Sequence, residues 1–155
     1  MKKIVFMGTS LFAVPILKSI FSKGYNIPLV YTQPPSKSNR GHKVSKSPIH
    51  KFCEENGLRV RTPENFNNLD DEKNILEKLE ADIAIVVAYG QILPKGILDV
   101  CDKGFINIHA SLLPKLRGAA PIQRSIMNLD KETGISIMQI NEKLDQGKVY
   151  SQYKI

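Results

Sequence analysis

Apolar positions along this chain switch repeatedly between the period of a strand and the period of a helix. Ile4, Val5, Phe6 and Met7 form a short unbroken run closed by Gly8, the pattern of a buried strand. Residues 11–22 place Leu11, Val14, Leu17, Ile20 and Phe21 at helical spacing, and Gly24 stops them. A second strand is predicted over 27–31. Ser47-Pro48 then opens a helix that ends near Asn56-Gly57. Residues 58–61 read as a short strand and 71–80 as an amphipathic acidic helix. Residues 82–88, Asp-Ile-Ala-Ile-Val-Val-Ala, form a continuous apolar run, as expected of a central strand with both faces covered. A helix over 94–100, a strand over 104–108 and a helix over 120–128 follow. Residues 134–140 alternate as a strand, 141–147 read as a loop, and 148–155 as a last strand.

Strands alternating with helices predict an α/β fold: a doubly wound, mostly parallel Rossmann-like sheet with helices on both faces. At 155 residues the chain forms one domain, 1–155, large enough to bury a core. The stretch 32–47 is polar, with Pro34, Pro35 and Gly41. A loop of that length inside a compact domain is usually functional or mobile.

Charge changes the picture locally. The net charge is +7. Lys37, Arg40, Lys43 and Lys46, with His42, share one short stretch without an acid, whereas Glu64, Asp70, Asp71, Glu72, Glu77, Glu80 and Asp82 cluster further on. A basic loop on a mixed-charge body suits a polyanion such as nucleic-acid phosphate, although a lysine-rich solvated surface reads the same way. No apolar stretch approaches the ~18 residues of a membrane span, and the first residues lack a signal-peptide pattern. Cys53 and Cys101 have no motif spacing and read as reduced thiols, so a cytoplasmic location is expected.

The chemistry concentrates around residue 107. Along a strand, positions i and i+2 share a face, so Asn107 and His109 project together where the strand ends. In open α/β sheets, sites form at that edge. Lys115 and Arg117 charge the loop that follows, Pro114 and Gly118 shape it, and Pro121 suits a first helical turn. Asp145 lies in a later loop that can open onto the same edge. A carboxylate beside an imidazole orients it, and an amide with an imidazolium can stabilise an oxyanion. Competing readings are a structural histidine and an ordinary turn aspartate ahead of Gly147. Gly8-Thr9-Ser10 lacks the G-x-G-x-x-G fingerprint, so dinucleotide binding is not indicated. Residues 87–94 could hold a flat heterocycle or simply turn the chain. His42, His50 and Cys53 match no standard zinc spacing, and no metal is expected.

These residues resemble the folate-dependent formyltransferases along the whole chain. The resemblance is carried by Phe6-Met7-Gly8-Thr9-Ser10-Leu11-Phe12-Ala13, by Thr32-Gln33-Pro34 and by Val87-Ala88-Tyr89-Gly90-Gln91-Ile92-Leu93-Pro94. Asn107-Ile108-His109-Ala110-Ser111-Leu112-Leu113-Pro114, Arg117-Gly118-Ala119-Ala120-Pro121-Ile122-Gln123 and Leu144-Asp145-Gln146-Gly147 extend it. The arginine-led run and the Thr-Gln-Pro loop narrow it to the branch whose acceptor is methionine on initiator tRNA. The resemblance implies a one-carbon transferase of translation initiation, moving a formyl group from 10-formyltetrahydrofolate to that α-amino group without a metal. It implies Asn107, His109 and Asp145 as the catalytic residues. It implies Ser111, Leu112, Leu113 and Pro114, with Ala88, Tyr89, Gly90 and Ile92, around the folate co-substrate. Lys37, Arg40, Lys43 and Arg117 are implied as tRNA contacts. Alternatives are a sugar-amine N-formyltransferase with the same triad and a non-catalytic folate- or tRNA-binding fragment.

Several positions depart from the family pattern: Ser10-Leu11, Pro35, Asn141 and Gln146-Gly147-Lys148. The family continues with the rest of this domain and a C-terminal β-barrel that helps hold tRNA. The sequence in hand stops at Ile155, inside a predicted strand. A truncated domain is therefore expected, from a family of monomers, with an uncovered apolar edge that favours association.

Overall fold

Seven strands form one sheet in the order β5-β2-β1-β6-β7-β8-β9. The computed structural model describes residues 2–38 and 43–155. The strands are β1 (Lys3–Gly8), β2 (Asn26–Tyr31), β5 (Val60–Arg61), β6 (Ile83–Val87), β7 (Phe105–His109), β8 (Gly134–Gln139) and β9 (Val149–Lys154). Helices α1 (Ala13–Ser22), α2 (Pro48–Glu55), α3 (Leu69–Leu79), α4 (Lys95–Leu98) and α5 (Pro121–Met127) connect them. The five strands from β5 to β7 are parallel; β8 pairs antiparallel with β7, and β9 antiparallel with β8. The α/β, mostly parallel arrangement is the one expected from the alternation of periods. Strand order reverses between β1 and β6, where a doubly wound sheet opens its crevice.

Each face has its own core. Val5, Met7, Leu29, Ala84, Val86 and Phe105 point to the side covered by α3 and α4, meeting Leu76, Leu79, Ile97 and Leu98. Phe6, Val30 and Val87 point to the other side, against Ala13 and Leu17 of α1 and Ile49 and Cys53 of α2. Burial pushes both thiols up, Cys53 to about 12 and Cys101 to about 11, so they stay protonated at neutral pH.

Some boundaries move. Leu11 is 76% exposed and sits in a turn, so α1 begins at Ala13. The fifth strand shortens to Val60–Arg61. Ser47 caps α2 as its spelling predicts, its Oγ accepting from the His50 N–H at 3.0 Å. The polar 32–47 stretch is more than a loop: β3 (Ser36–Ser38) and β4 (Lys43–Ser45) pair antiparallel as a separate small hairpin. Neither strand has an apolar alternation to betray it.

Buried Glu72 on α3 accepts from the Tyr31 hydroxyl at 2.7 Å and from Arg61 Nη2 at 2.6 Å and Nε at 3.1 Å. Burial and the Glu72 charge raise the Tyr31 phenol well above its ordinary range. The network ties β2, β5 and α3 beneath the crevice.

Candidate active site

Strand β7 supplies the first two side chains. Phe105 is buried in the α3/α4 core, so alternation turns Asn107 and His109 to the same face. Asn107 pairs with Val86 on one side and Met138 on the other, and His109 pairs with Ser136. The donors therefore stand on a strand hydrogen-bonded on both edges, and His109 is only 7% exposed.

Asp145 arrives by a different route. Because β8 runs antiparallel, its end at Gln139 lies beside Ile106, near the start of β7. The following loop returns along the sheet face towards His109. It can do so because Gly147 presses against the Gln139 carbonyl: a Cβ there would stand 1.8 Å from that oxygen. Asp145 itself adopts φ +49°, and its side chain is about one-tenth exposed. Asp145 Oδ1 accepts from Asn107 Nδ2 at 3.3 Å, and Oδ2 accepts from the Gly118 N–H at 2.7 Å. Oδ2 also lies 3.7 Å from His109 Nδ1. Arg117 Nε donates to the Asp145 carbonyl at 3.0 Å. Thus the three residues singled out from the sequence meet at the C-terminal end of β7.

The second ring nitrogen is also engaged. His109 Nε2 lies 2.9 Å from the Leu116 carbonyl oxygen, which can only accept, so Nε2 carries a proton. Leu116 belongs to the turn after Pro114, whose peptide bond to Leu113 is cis, and it holds φ +54°.

The eight residues expected around a folate fall in two segments. Ser111 and Leu113, just after β7, are buried, Leu112 is half-buried and Pro114 is exposed. Ala88, Tyr89 and Gly90 form the turn after β6, with Ala88 at φ +45° and Gly90 at φ +85°. Thr9 Oγ1 donates to the Tyr89 carbonyl and accepts the Gln33 N–H, and Gln91 Nε2 donates to the Pro63 carbonyl at 2.8 Å. Tyr89 is buried among apolar neighbours, and burial, with the nearby Glu72 charge, raises its phenol. Ile92 is 89% exposed. Neither segment lines the cavity beside α4. That cavity, about 560 Å³, lies between α4 and the β8–β9 loop, against Leu98, Phe105, Ile140, Asn141, Glu142 and Gln146. It abuts the residue after Asp145. A sequence reading misses it because the wall is made by a loop returning from an antiparallel strand.

Of the basic residues, Lys37 and Lys43 lie on strands β3 and β4, Arg40 and His42 lie outside the described residues, and Arg117 is exposed beside Asp145. Among the described residues, no group of three or more His, Cys, Asp or Glu side chains is arranged to hold a metal, and no helix is long and apolar enough to cross a membrane.

Comparison with known proteins bears on the chain as a whole. Residues 1–155 match the family model described as formyl transferase. The chain belongs to the formyl transferase family. Among curated formyl transferases it is 63% identical over 154 residues to a methionyl-tRNA formyltransferase of Pelagibacter ubique (strain HTCC1062), covering 99% of this chain and 50% of that protein. It is 49% identical over 153 residues to the enzyme of the same name from Paramagnetospirillum magneticum (strain ATCC 700264 / AMB-1), again over 99% of this chain and 50% of the relative. The chain spans about half the length of the curated relatives it matches. Among solved structures, phosphoribosylglycinamide formyltransferase from Streptococcus pneumoniae TIGR4 superposes with a TM-score of 0.79 at 17% identity, over 100% of this chain and 82% of that one. A formyltetrahydrofolate deformylase from Pseudomonas syringae pv. tomato str. DC3000 gives 0.75 at 21% identity, over 99% and 51%. At those identities the shared property is the formyl transferase fold.

Proposed function

We propose that this chain carries the catalytic centre of a methionyl-tRNA formyltransferase, moving a formyl group from 10-formyltetrahydrofolate to the α-amino group of methionine on initiator tRNA. The reading rests chiefly on the placement of Asp145 against both Asn107 and His109. The relatives' name supports the choice of acceptor. The amine attacks the formyl carbon, and the developing oxyanion takes hydrogen bonds from the free N–H of the Asn107 amide and from the Nδ1–H of the His109 imidazolium. Asp145 takes the amine proton directly or through water, losing its negative charge as the oxyanion gains one. Collapse breaks the bond from the formyl carbon to N10, which leaves as tetrahydrofolate with the proton that Asp145 took from the amine. In this reading the folate co-substrate lies against the 88–92 and 111–114 segments, which follow the C-terminal ends of β6 and β7 where Asn107 and His109 stand. Lys37, Arg40, Lys43 and Arg117 are the cations for the tRNA backbone in this reading.

Formyl transfer by the wild-type chain, His109→Ala and Asn107→Ala is the test, with 5-formyltetrahydrofolate binding measured alongside. Loss of the Asn107 donor should lower turnover about 10²–10³-fold with binding retained. Turnover surviving His109→Ala within tenfold would overturn the reading. So would tight folate and tRNA binding without turnover, where a full-length relative works in the same buffer.

A further inference from the structure

The tautomer of His109 decides whether the ring nitrogen facing the carboxylate carries a proton, and hydrogen bonds from β9 hold the turn that reaches the other ring nitrogen. Ser136 stands opposite His109 in the sheet and is fully buried. Its hydroxyl donates to the Ser111 carbonyl at 2.7 Å and accepts from the Leu113 N–H at 3.0 Å and from Gln152 Nε2 at 2.9 Å. One donor and two lone pairs are thereby all used. Gln152 Nε2 donates also to the Leu113 carbonyl at 2.9 Å. These contacts hold the backbone of residues 111–113. Ser111 Oγ carries the relay onward by donating to the Lys115 carbonyl at 2.6 Å, and the Lys115 N–H donates to the Leu112 carbonyl at 3.1 Å. The next carbonyl along the chain is that of Leu116, 2.9 Å from His109 Nε2.

Two acceptors compete for the single proton of a neutral imidazole here. Leu116 O lies at hydrogen-bond distance from Nε2, while Asp145 Oδ2 is 3.7 Å from Nδ1, too far for a good bond. We propose that Ser136 and Gln152 are positioning residues that fix the Nε2–H tautomer of His109, by holding the turn that brings the Leu116 carbonyl to the ring. Nδ1 is then the nitrogen that gains and loses a proton, and it faces Asp145 Oδ2 at 3.7 Å. Slackening the turn removes the nearer acceptor, and the carboxylate draws the proton to Nδ1. This deepens the reading of His109 as the catalytic imidazole and rests on it.

Long-range ¹H–¹⁵N spectra of ¹⁵N-histidine-labelled protein, above the pH at which the ring titrates, read the tautomer directly. The chain has three histidines, and His109→Gln assigns the signal. The wild-type ring should show the Nε2–H pattern. Ser136→Ala should shift the tautomer ratio towards Nδ1–H by about fivefold or more, the factor set by losing one hydrogen bond of about 1 kcal/mol. Gln152→Ala, on an exposed strand position and therefore safe for folding, should shift it the same way, whereas Ser151→Ala should leave it unchanged. A wild-type ring in the Nδ1–H form, or an unmoved ratio in both relay variants, would overturn the proposal. The measurement needs no substrate, so its outcome is separate from that of the formyl-transfer assay.

Discussion

Replacing Asp145 with asparagine separates chemistry from scaffolding at the site. The substitution preserves shape, and its amide oxygen can still accept the Gly118 N–H that now reaches Oδ2 at 2.7 Å. Its NH₂ group would face the Asn107 amide, which can turn over to present oxygen. The structural loss is one charged acceptor exchanged for a neutral one, about 1 kcal/mol. For a chain of this size that lowers the melting temperature by about 2–4 °C. Turnover should respond far more: removing a general base costs about 10²–10⁴-fold, or about 3–5 kcal/mol of barrier. A domain of about 5 kcal/mol stability that loses 1 kcal/mol remains about 99.9% folded, so unfolding cannot account for such a drop. Asp145→Ala should melt lower still, because it strands the Gly118 and Asn107 donors at about 1–3 kcal/mol for an unsatisfied group. Single-turnover formylation of methionyl initiator tRNA, beside a thermal melt, reads both quantities. Turnover by the Asp145→Asn variant within threefold of wild type would refute the reasoning.

Other expectations follow from features away from the triad. Arg61→Ala leaves the buried Glu72 carboxylate with the Tyr31 hydroxyl. Arg61 is 41% exposed, so about 2–3 kcal/mol of stability should be lost in urea unfolding, below the range for a fully buried pair; a loss under 0.5 kcal/mol would mean solvent already screens the pair. Cys53 and Cys101 should label slowly with a thiolate-selective reagent at pH 8 and fast in denaturant. Since their pKa values are raised on folding, to about 12 and about 11, the unfolded chain binds fewer protons above pH 9. Their contribution to stability is complete below that pH and falls as pH rises through 11 and 12; rapid labelling of the folded chain would contradict the burial. Arg40→Ala with Lys43→Ala should weaken tRNA binding and reduce its salt dependence by about 1–2 units of slope, and an unchanged slope would remove those contacts from the reading.

Residues whose side chains face a uniform environment were legible in the sequence. The unbroken run in β6 marks a strand covered on both faces, and helical spacing in α1 survives even though the helix starts two residues later than its first apolar position. The Asn-x-His spacing gives the shared face directly. Ser136 shows the opposite case. In Gly-Ile-Ser-Ile-Met-Gln the isoleucines look like the core side and the serine like the solvent side. In the sheet Ser136 and Met138 are buried, while Ile135 and Ile137 are only half-buried. Polarity misleads there because the serine is satisfied by backbone groups from a distant turn, which no local pattern encodes. Glu72 hides in an acidic helix for the same reason: its partners lie on β2 and β5. The β3–β4 hairpin is held by backbone pairing between polar residues and leaves no periodic trace.

The antiparallel turn from β8 into the Asp145 loop has a consequence for the order of events. Asn107 and His109 belong to a strand that opens only when the sheet opens, whereas Asp145 hangs from a loop held by a few contacts to Gly118, Arg117 and Asn107. Loops of that kind open locally at a small fraction of the free energy of a central strand. The centre thus has a permanent half and a removable half. In the proposed reaction the oxyanion donors would then sit on the sheet and the proton acceptor on its margin. On that reading, the topology of two strands ties the donors and the acceptor to parts of the fold that open at different cost.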